Sequence, residues 1–330
     1  LSAPERGGTT TYLEAIRQGL WEEMEGDDRV FLMGEDVGVY GGAFKVTDGF
    51  LERFGEERVI DTPISEAAIV GASVGAAMMG LRPVAEMQFI DFISCAFDQL
   101  TNVAAKNRYR WGQPTPIVVR GPAGGGVHGG PFHSLQAESY FAHTAGLKVV
   151  CPATAYDAKG LIKAAIRDDD PIVFQEHKFL YRRIKEDLPA EDYVVPLGKA
   201  RLHREGRDLT IVTWAAMVHT AAEAAEALAG EGVEVEIVDL RTLVPFDEEA
   251  VLRSIARTSR AIILHEAPRT GGFGGEIAAT IAEKAFEYLD APIVRVTAPD
   301  TPVPYSPPLE SYYLPGKDAL LEATRKLLEY

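Results

Sequence analysis

The sequence predicts an α/β protein of two domains, and three observations carry that reading. Short β-branched runs alternate with helical-period stretches of roughly 10–15 residues, a pattern that pairs strands in parallel through βαβ crossovers. The pattern lapses once, between about Lys185 and Asp208, into charged sequence with Pro and Gly, and then resumes. The 330 residues match about two domains of roughly 100–200 residues each. The expected division is a first α/β domain over 9–185, a linker over 186–207 and a second α/β domain over 208–330.

Thr11 to Met24 sets apolar residues at helical spacing and stops at Gly26-Asp27-Asp28. RVFLMGED, RVIDTPIS and RPVAEMQF read as strands, with a small-residue helix, EAAIVGASVGAAMMG, between the last two. FISCAFDQLTNVAAKNRYRW reads as one long helix. PIVVRG, LKVVCPA and PIVFQEH are further strands, and AYDAKGLIKAAIRD is the helix between the last pair. The second domain repeats the alternation: strand LTIVTWA, helix HTAAEAAEALAG, strand VEVEIVDL, helix DEEAVLRSIART, strand RAIILHEA, helix GGEIAATIAEKAFEYL and strand PIVRVTA. A Pro-rich segment, TPVPYSPPLESYYLPG, leads to a closing helix, LLEATRKLLEY.

With 33 basic against 49 acidic side chains the formal net charge is -16. That argues against a nucleic-acid partner, since such affinity comes from clustered Lys and Arg. Cys95 and Cys151 lie in apolar stretches and read as buried free thiols of a reducing compartment. LSAPERGGTT has no signal-peptide pattern. The apolar uncharged stretch Ala67 to Leu81 is shorter than the ~20 residues needed to cross a bilayer. A soluble intracellular protein is expected.

GPAGGGVHGG follows a strand and contains Gly124-x-Gly126-x-x-Gly129, a formal dinucleotide fingerprint. Pro131 follows at once and no acidic residue closes a βαβ unit around it, so a glycine loop without a phosphate role is the preferred reading. The cluster Gly271 to Gly275 has Ile277 where a third fingerprint glycine would stand, and there is no P-loop pattern. His128 and His133 flank the end of the first loop, where backbone can approach a ligand and an imidazole can move protons. No third His or Cys stands at metal-ligand spacing. Glu66 opens the small-residue helix directly after a strand, with Ser65 placed to cap. There a carboxylate offsets the helix dipole. Gly71 and Gly75, four apart, let that helix lie close against another backbone, which would shield Glu66 and make its pKa tunable.

Six blocks, taken in order, resemble the beta subunit of thiamine diphosphate-dependent 2-oxo acid dehydrogenases, the decarboxylating component of the pyruvate, branched-chain 2-oxo acid and acetoin dehydrogenase complexes. They are GEDVGVYGGAF (34–44), DTPISEAAIVG (61–71), AEMQFIDFISCAFDQL (85–100), FHSLQAESYFAHTAGLKVVCPA (132–153), DAKGLIKAAIRDDDPIVF (157–174) and HEAPRTGGFGGEI (265–277). The resemblance implies a transketolase-like pyrimidine-binding domain with a parallel sheet, followed by a transketolase C-terminal α/β domain. It implies that Glu66 hydrogen-bonds the pyrimidine nitrogen of thiamine diphosphate and favours the imino tautomer that removes the thiazolium proton. Gln88 and Phe92 match positions lining the aminopyrimidine, with Phe92 stacking on the ring where many relatives carry Tyr. His133 matches the family's active-site histidine, which handles protons during decarboxylation or transfer to lipoamide; the Gln of the family's HSQ block stands one residue later here. A structural potassium ion is also implied, held by the backbone carbonyls of Ile117, Ala165 and Ile166 with Asp168 and Asp170, the last replacing a relative's Asn.

Enzymes of this class hold the diphosphate and Mg2+ through a GDG-containing motif with a downstream Asn. The only Asp-Gly pair here, Asp48-Gly49, follows Thr47 and lacks that pattern. The resemblance therefore implies half of an active site, with the diphosphate and Mg2+ held by an alpha subunit in an α2β2 heterotetramer. It places the Gly/Ala helix after Glu66 at the dimer interface and a lipoyl acyltransferase core on the C-terminal domain. The expected reaction is oxidative decarboxylation of a 2-oxo acid, pyruvate or branched-chain, with reductive acylation of lipoamide. The expected location is cytoplasmic in a prokaryote or the mitochondrial matrix in a eukaryote. An acetoin dehydrogenase beta subunit, a nucleotide-binding dehydrogenase using Gly124, Gly126 and Gly129, and a non-catalytic scaffolding subunit stand as alternatives.

Overall fold

A computed structural model describes residue 4 and residues 7–330. The chain divides into two compact units: one runs up to Ala123 and includes Tyr140–Leu197, and the other joins Gly124–Ser139 to Gly198–Tyr330. The segment Gly124–Ser139, inside the span expected as the first domain, thus belongs to the second unit.

In the first unit β1 (Gly8–Thr11) runs into α1 (Tyr12–Gly26) through a capping box. The Glu14 amide donates to Thr11 Oγ1 at 3.2 Å and the Thr11 amide to Glu14 Oε2 at 2.9 Å. Then come β2 (Val30–Gly34), α2 (Phe50–Phe54), β3 (Val59–Asp61), α3 (Glu66–Met78), β4 (Arg82–Glu86), α4 (Ala105–Trp111) and β5 (Val118–Ala123). After α5 (Glu138–Ala142), whose first two residues are counted with the other unit, follow β6 (Lys148–Val150), α6 (Ala155–Arg167), β7 (Ile172–His177) and β8 (Lys185–Leu188). Six of these strands run parallel in the order β6-β7-β5-β4-β2-β3. Their apolar runs are buried throughout β5 and β7, as befits parallel strands covered on both faces. α1 packs on α6 at Gly19, where a Cβ would fall 2.5 Å from Ile162 Cγ2. β1 and β8 form a separate antiparallel pair, so the stretch expected as linker begins in a strand.

The helix expected from Phe92 to Trp111 changes its winding. Ile90–Ala96 is 3-10, Gln99–Ala104 is π-helical, and only Ala105–Trp111 is α. Apolar spacing reports the buried face and is silent on hydrogen-bond register. Gln99 abuts α3 at Gly71, where an added Cβ would meet its Oε1 at 3.2 Å. The 3-10 turn leaves Cys95 exposed, against expectation, while Cys151 is buried; both are free thiols.

The second unit contains β9 (Arg201–Arg204), β10 (Leu209–Thr213), α7 (Met217–Ala229), β11 (Val235–Asp239), β12 (Thr242–Val244), α8 (Glu248–Thr258) and β13 (Ala261–Pro268). It ends with α9 (Gly274–Lys284), β14 (Val294–Ala298), α10 (Pro307–Tyr313) and α11 (Lys317–Leu328). Its sheet has the order β14-β13-β10-β11-β9, parallel except for β9, which also lies in the stretch expected as linker. His265 sits fully buried in β13, stacked on Trp214 with centroids 5.3 Å apart. Burial pushes its imidazole down to about 4. The second glycine cluster serves this packing: a Cβ on Gly272 or Gly274 would come within 2.5 or 2.6 Å of the imidazole. No helix among the described residues is long and apolar enough to cross a membrane.

Candidate active site

In an open parallel sheet, ligands bind beyond the carboxyl ends of the strands. β2, β3 and β4 are neighbours ending at Gly34, Asp61 and Glu86, and Glu35, Glu66 and Gln88 lie just past those ends. Glu66 is the first residue of α3 and is buried. Ser65 makes no side-chain cap, so the expected capping role is absent. Glu35 is buried beside Glu66: burial first, and then the Glu66 charge, push its carboxyl up, against a hydrogen bond from the Ser65 backbone. Glu35 Oε1 has no hydrogen-bond partner among the described residues. The next residue, Asp36, accepts from Gln88 Nε2 at 2.9 Å. The sheet edge therefore gathers Glu66, Glu35, Asp36 and Gln88. The Gly38 and Val39 amides donate to Asp61 at 2.6 and 3.2 Å and hold the loop after β2 in place.

Phe92 follows β4 in the 3-10 turn and meets Phe89 edge-on at 6.2 Å. Phe89 in turn packs on Phe44, and Phe44 on Tyr181. Tyr181 belongs to a buried ionic cluster that the sequence reading did not anticipate. Arg120 in β5 donates to Glu176 at the end of β7 and to Glu86 at the end of β4, and the Tyr181 hydroxyl donates to Glu176 at 2.6 Å. Desolvation opposes the Arg120 charge, but Glu176 and Glu86 hold its pKa above the ordinary arginine value. The signal was a charge near the end of three otherwise apolar strand runs, RPVAEMQF, PIVVRG and PIVFQEH.

His133 lies in the second unit, half-buried, at the end of a short 3-10 turn over Gly130–Phe132. The loop before it is unsuited to a phosphate, because its amides are taken: Gly125 donates to Glu266 Oε1 at 2.6 Å, and Gly126 to Glu310 Oε1 at 2.9 Å. That removes the basis for the nucleotide-binding alternative. Further along, Glu138 is fully buried, and burial, reinforced by Glu266, pushes it up to about 7.

The set expected to hold potassium is in the first unit, and its donors are engaged by the chain's own N–H groups. The Ile117 carbonyl accepts from the Ile172 amide at 2.9 Å, Ala165 from the Asp168 amide at 3.3 Å, and Ile166 from Arg82 Nη1 at 2.9 Å. Asp168 accepts from Lys148 Nζ at 2.7 and 2.8 Å, and Asp170 is paired with Arg108 and, at 3.2 Å, with Lys148. Three cationic side chains among these donors repel a further cation, so the residues as they stand do not fit the ion. Among the described residues no three His, Cys, Asp or Glu side chains are grouped as metal ligands.

Residues 9–183 match the family model described as transketolase, pyrimidine binding domain, and residues 198–320 match transketolase, C-terminal domain. The chain is 50% identical to the 2-oxoisovalerate dehydrogenase subunit beta of Bacillus subtilis over 97% of its own length and 99% of that protein's. It is 46% identical to the mitochondrial 2-oxoisovalerate dehydrogenase subunit beta 2 of Arabidopsis thaliana, covering 99% and 91%, and 44% identical to the pyruvate dehydrogenase E1 component subunit beta of Bacillus subtilis, covering 97% and 99%. A solved split gene transketolase, in its inactive beta4 tetramer, superimposes with a TM-score of 0.80 at 22% identity, covering 97% of this chain and 98% of that one, which speaks for the fold. With both domain models matched and near-full-length identity of this order, the chain belongs to the family of 2-oxo acid dehydrogenase beta subunits, built on the transketolase pyrimidine-binding and C-terminal domains.

Proposed function

We propose that this chain, with an alpha subunit, catalyses the oxidative decarboxylation of a 2-oxo acid and the reductive acylation of lipoamide, with thiamine diphosphate as cofactor. The observation that carries the reading is the paired carboxylates at the sheet edge, Glu66 beside a Glu35 whose buried Oε1 lacks a partner among the described residues. A ligand with a protonatable ring nitrogen fits such a pair, since the second charge favours keeping a proton between them. Thiamine diphosphate, when bound, supplies the electron sink for the pair left by departing carbon dioxide.

Glu66 would hold the proton facing the pyrimidine nitrogen. Gln88, steadied by Asp36, and Phe92, steadied by the aromatic row from Tyr181, would orient that ring. His133 would move a proton at the substrate or acyl group, since an imidazole can both give and take one. The chain has no GDG-type motif, so the diphosphate and its Mg2+ fall to the alpha subunit, in an α2β2 assembly. The exposed face of α3, with Ala68, Ala72 and Gly75 and with Met79 just past its end, offers the close-packing surface such an assembly uses. The acyltransferase core would dock on the second unit. Potassium has no part in the proposal, because Lys148, Arg82 and Arg108 already neutralise the Asp168–Asp170 turn. A branched-chain 2-oxo acid is the favoured substrate, supported by 50% and 46% identity to 2-oxoisovalerate subunits against 44% to a pyruvate subunit. A reducing location, cytoplasm or mitochondrial matrix, accords with two free thiols.

The test is a substrate panel on the reconstituted α–β pair with a dye acceptor: pyruvate, 2-oxoisovalerate, 2-oxobutyrate and acetoin. The highest kcat/KM is expected on 2-oxoisovalerate. Activity confined to acetoin, or no thiamine diphosphate dependence, overturns the reading.

A further inference from the structure

The segment that carries His133 is a closed loop held by side chains of its own unit. The Gly124 amide donates to the Leu135 carbonyl at 3.0 Å and closes the neck. Between them Gly124, Gly126, His128 and Gly130 all have positive φ, at 82°, 82°, 60° and 67°. Glycine adopts that conformation freely, but for a histidine it costs about 1 kcal/mol or more unless surrounding contacts fix it.

Glu310, in α10, supplies those contacts. Its carboxylate is 1% exposed and accepts from the Gly126 amide at 2.9 Å, the His128 amide at 3.1 Å and His128 Nδ1 at 2.6 Å. Glu266 accepts from the intervening Gly125 amide. The Tyr305 ring lies so close to Gly130 that a methyl group there would overlap it. Gly125 is confined as well: a Cβ would meet Leu314 Cδ2 at 3.1 Å and Glu310 Oε1 at 3.3 Å. Tyr305, Glu310 and Leu314 all come from the Pro-rich stretch TPVPYSPPLESYYLPG, to which the decarboxylation reading assigns nothing.

We propose that Glu310 is a positioning residue for the reaction: it fixes the conformation of loop 124–135 and thereby the place of the His133 imidazole. The inference rests on the reading that His133 moves a proton in that reaction. A buried carboxylate that accepts three N–H groups makes charge-assisted bonds of about twice ordinary strength. Removing it strands the Gly126 and His128 amides and takes away bonds that hold His128 in the left-handed region. His133 stands five residues further on, within the same closed loop.

The experiment uses the reconstituted α–β holoenzyme with wild-type, Glu310→Ala, Glu310→Gln and His133→Ala beta subunits. Amide exchange of the peptide covering 124–135 and steady-state decarboxylation are measured on each. In Glu310→Ala, exchange at Gly126 and His128 is expected to quicken about tenfold or more, since bonds to a charged acceptor are lost. Its kcat is expected to fall about tenfold or more, because small misplacements near reacting atoms are costly, with KM little changed. Glu310→Gln, which keeps one acceptor oxygen, is expected to lie between, and it carries the comparison if the alanine variant does not fold. Wild-type exchange in these variants, or faster exchange with undiminished kcat, overturns the proposal. His133→Ala with full activity sinks the catalytic reading of that histidine instead, and the exchange data still report separately whether Glu310 anchors the loop.

Discussion

Arg120 Nη2 donates to Glu176 Oε2 at 2.6 Å in a place where Arg120 is 1% exposed and Glu176 not at all. Glu86 accepts from the opposite side of the guanidinium, so two buried carboxylates share one cation. Burial pushes Glu86 up, and Arg120 holds it back. Arg120→Met would leave both carboxylates without a counter-charge at the ends of β4 and β7. Breaking a buried pair from one side costs about 3–5 kcal/mol. A beta subunit that unfolds at a markedly lower temperature, or does not fold, is the expected outcome; an unchanged unfolding midpoint would show that the cluster holds nothing.

Glu66→Gln keeps the size of the side chain and removes its capacity to exchange a proton with a ring nitrogen. Proton transfer by a placed side chain contributes about 10²–10⁴-fold to a rate. Decarboxylation by the reconstituted pair should fall by about that range, with the subunit still folded and still assembling with alpha. Full activity would remove Glu66 from the chemistry.

The second unit carries two buried groups that make its stability depend on pH in opposite directions. Glu138 is pushed up to about 7 from 4.5, so the native state keeps a proton that the unfolded chain gives up. Its contribution is present below pH 4.5 and is lost as pH rises toward 7. His265 is held down near 4 from 6.5, so its contribution is present above pH 6.5 and is lost as pH falls toward 4. Each effect is at most about 3 kcal/mol. Glu138→Gln should gain stability over wild type between pH 5 and 8, and His265→Phe should flatten the acid limb, read by unfolding midpoints at stepped pH. Parallel pH curves for wild type and Glu138→Gln would remove the first assignment.

Gly272→Ala places a methyl group 2.5 Å from His265 Cε1. Overpacking of this kind costs about 1–3 kcal/mol. His265→Ala in the same background should recover part of that loss, because the two sites share one contact. Simple additivity of the two changes would mean that the glycine is needed for some other reason.

Much of the strand and helix order was legible because the apolar runs are long and β-branched: PIVVRG overlaps β5, which runs two residues further, PIVFQEH contains β7, and LTIVTWA contains β10. The winding of Ile90–Ala104 was not, since the same apolar face can be buried by α, 3-10 or π turns. Glu66 could be located by its place between a strand and a small-residue helix. Glu35 could not, because what distinguishes it is a charge brought beside it from the neighbouring strand's end. Arg120, Glu86 and Glu176 are far apart in sequence, and each reads alone as an ordinary strand-end charge. Glu310 sits in a Pro-rich stretch whose spacing carries no signal of the loop it holds.

Because the stretch from Gly124 to Ser139 is counted with the later half of the chain, the polypeptide passes between the two units three times, at 123/124, 139/140 and 197/198. A protein of this design cannot be divided by one scission into two self-sufficient fragments. Cleaving after Leu197 would release a piece whose Glu266 and Glu310 have lost the amides they were buried against, and leave the sixteen residues 124–139 on the other piece. Gene splitting or domain grafting in this lineage would therefore have to carry the loop across together with its carboxylates, as an inserted cassette rather than a hinge-point cut.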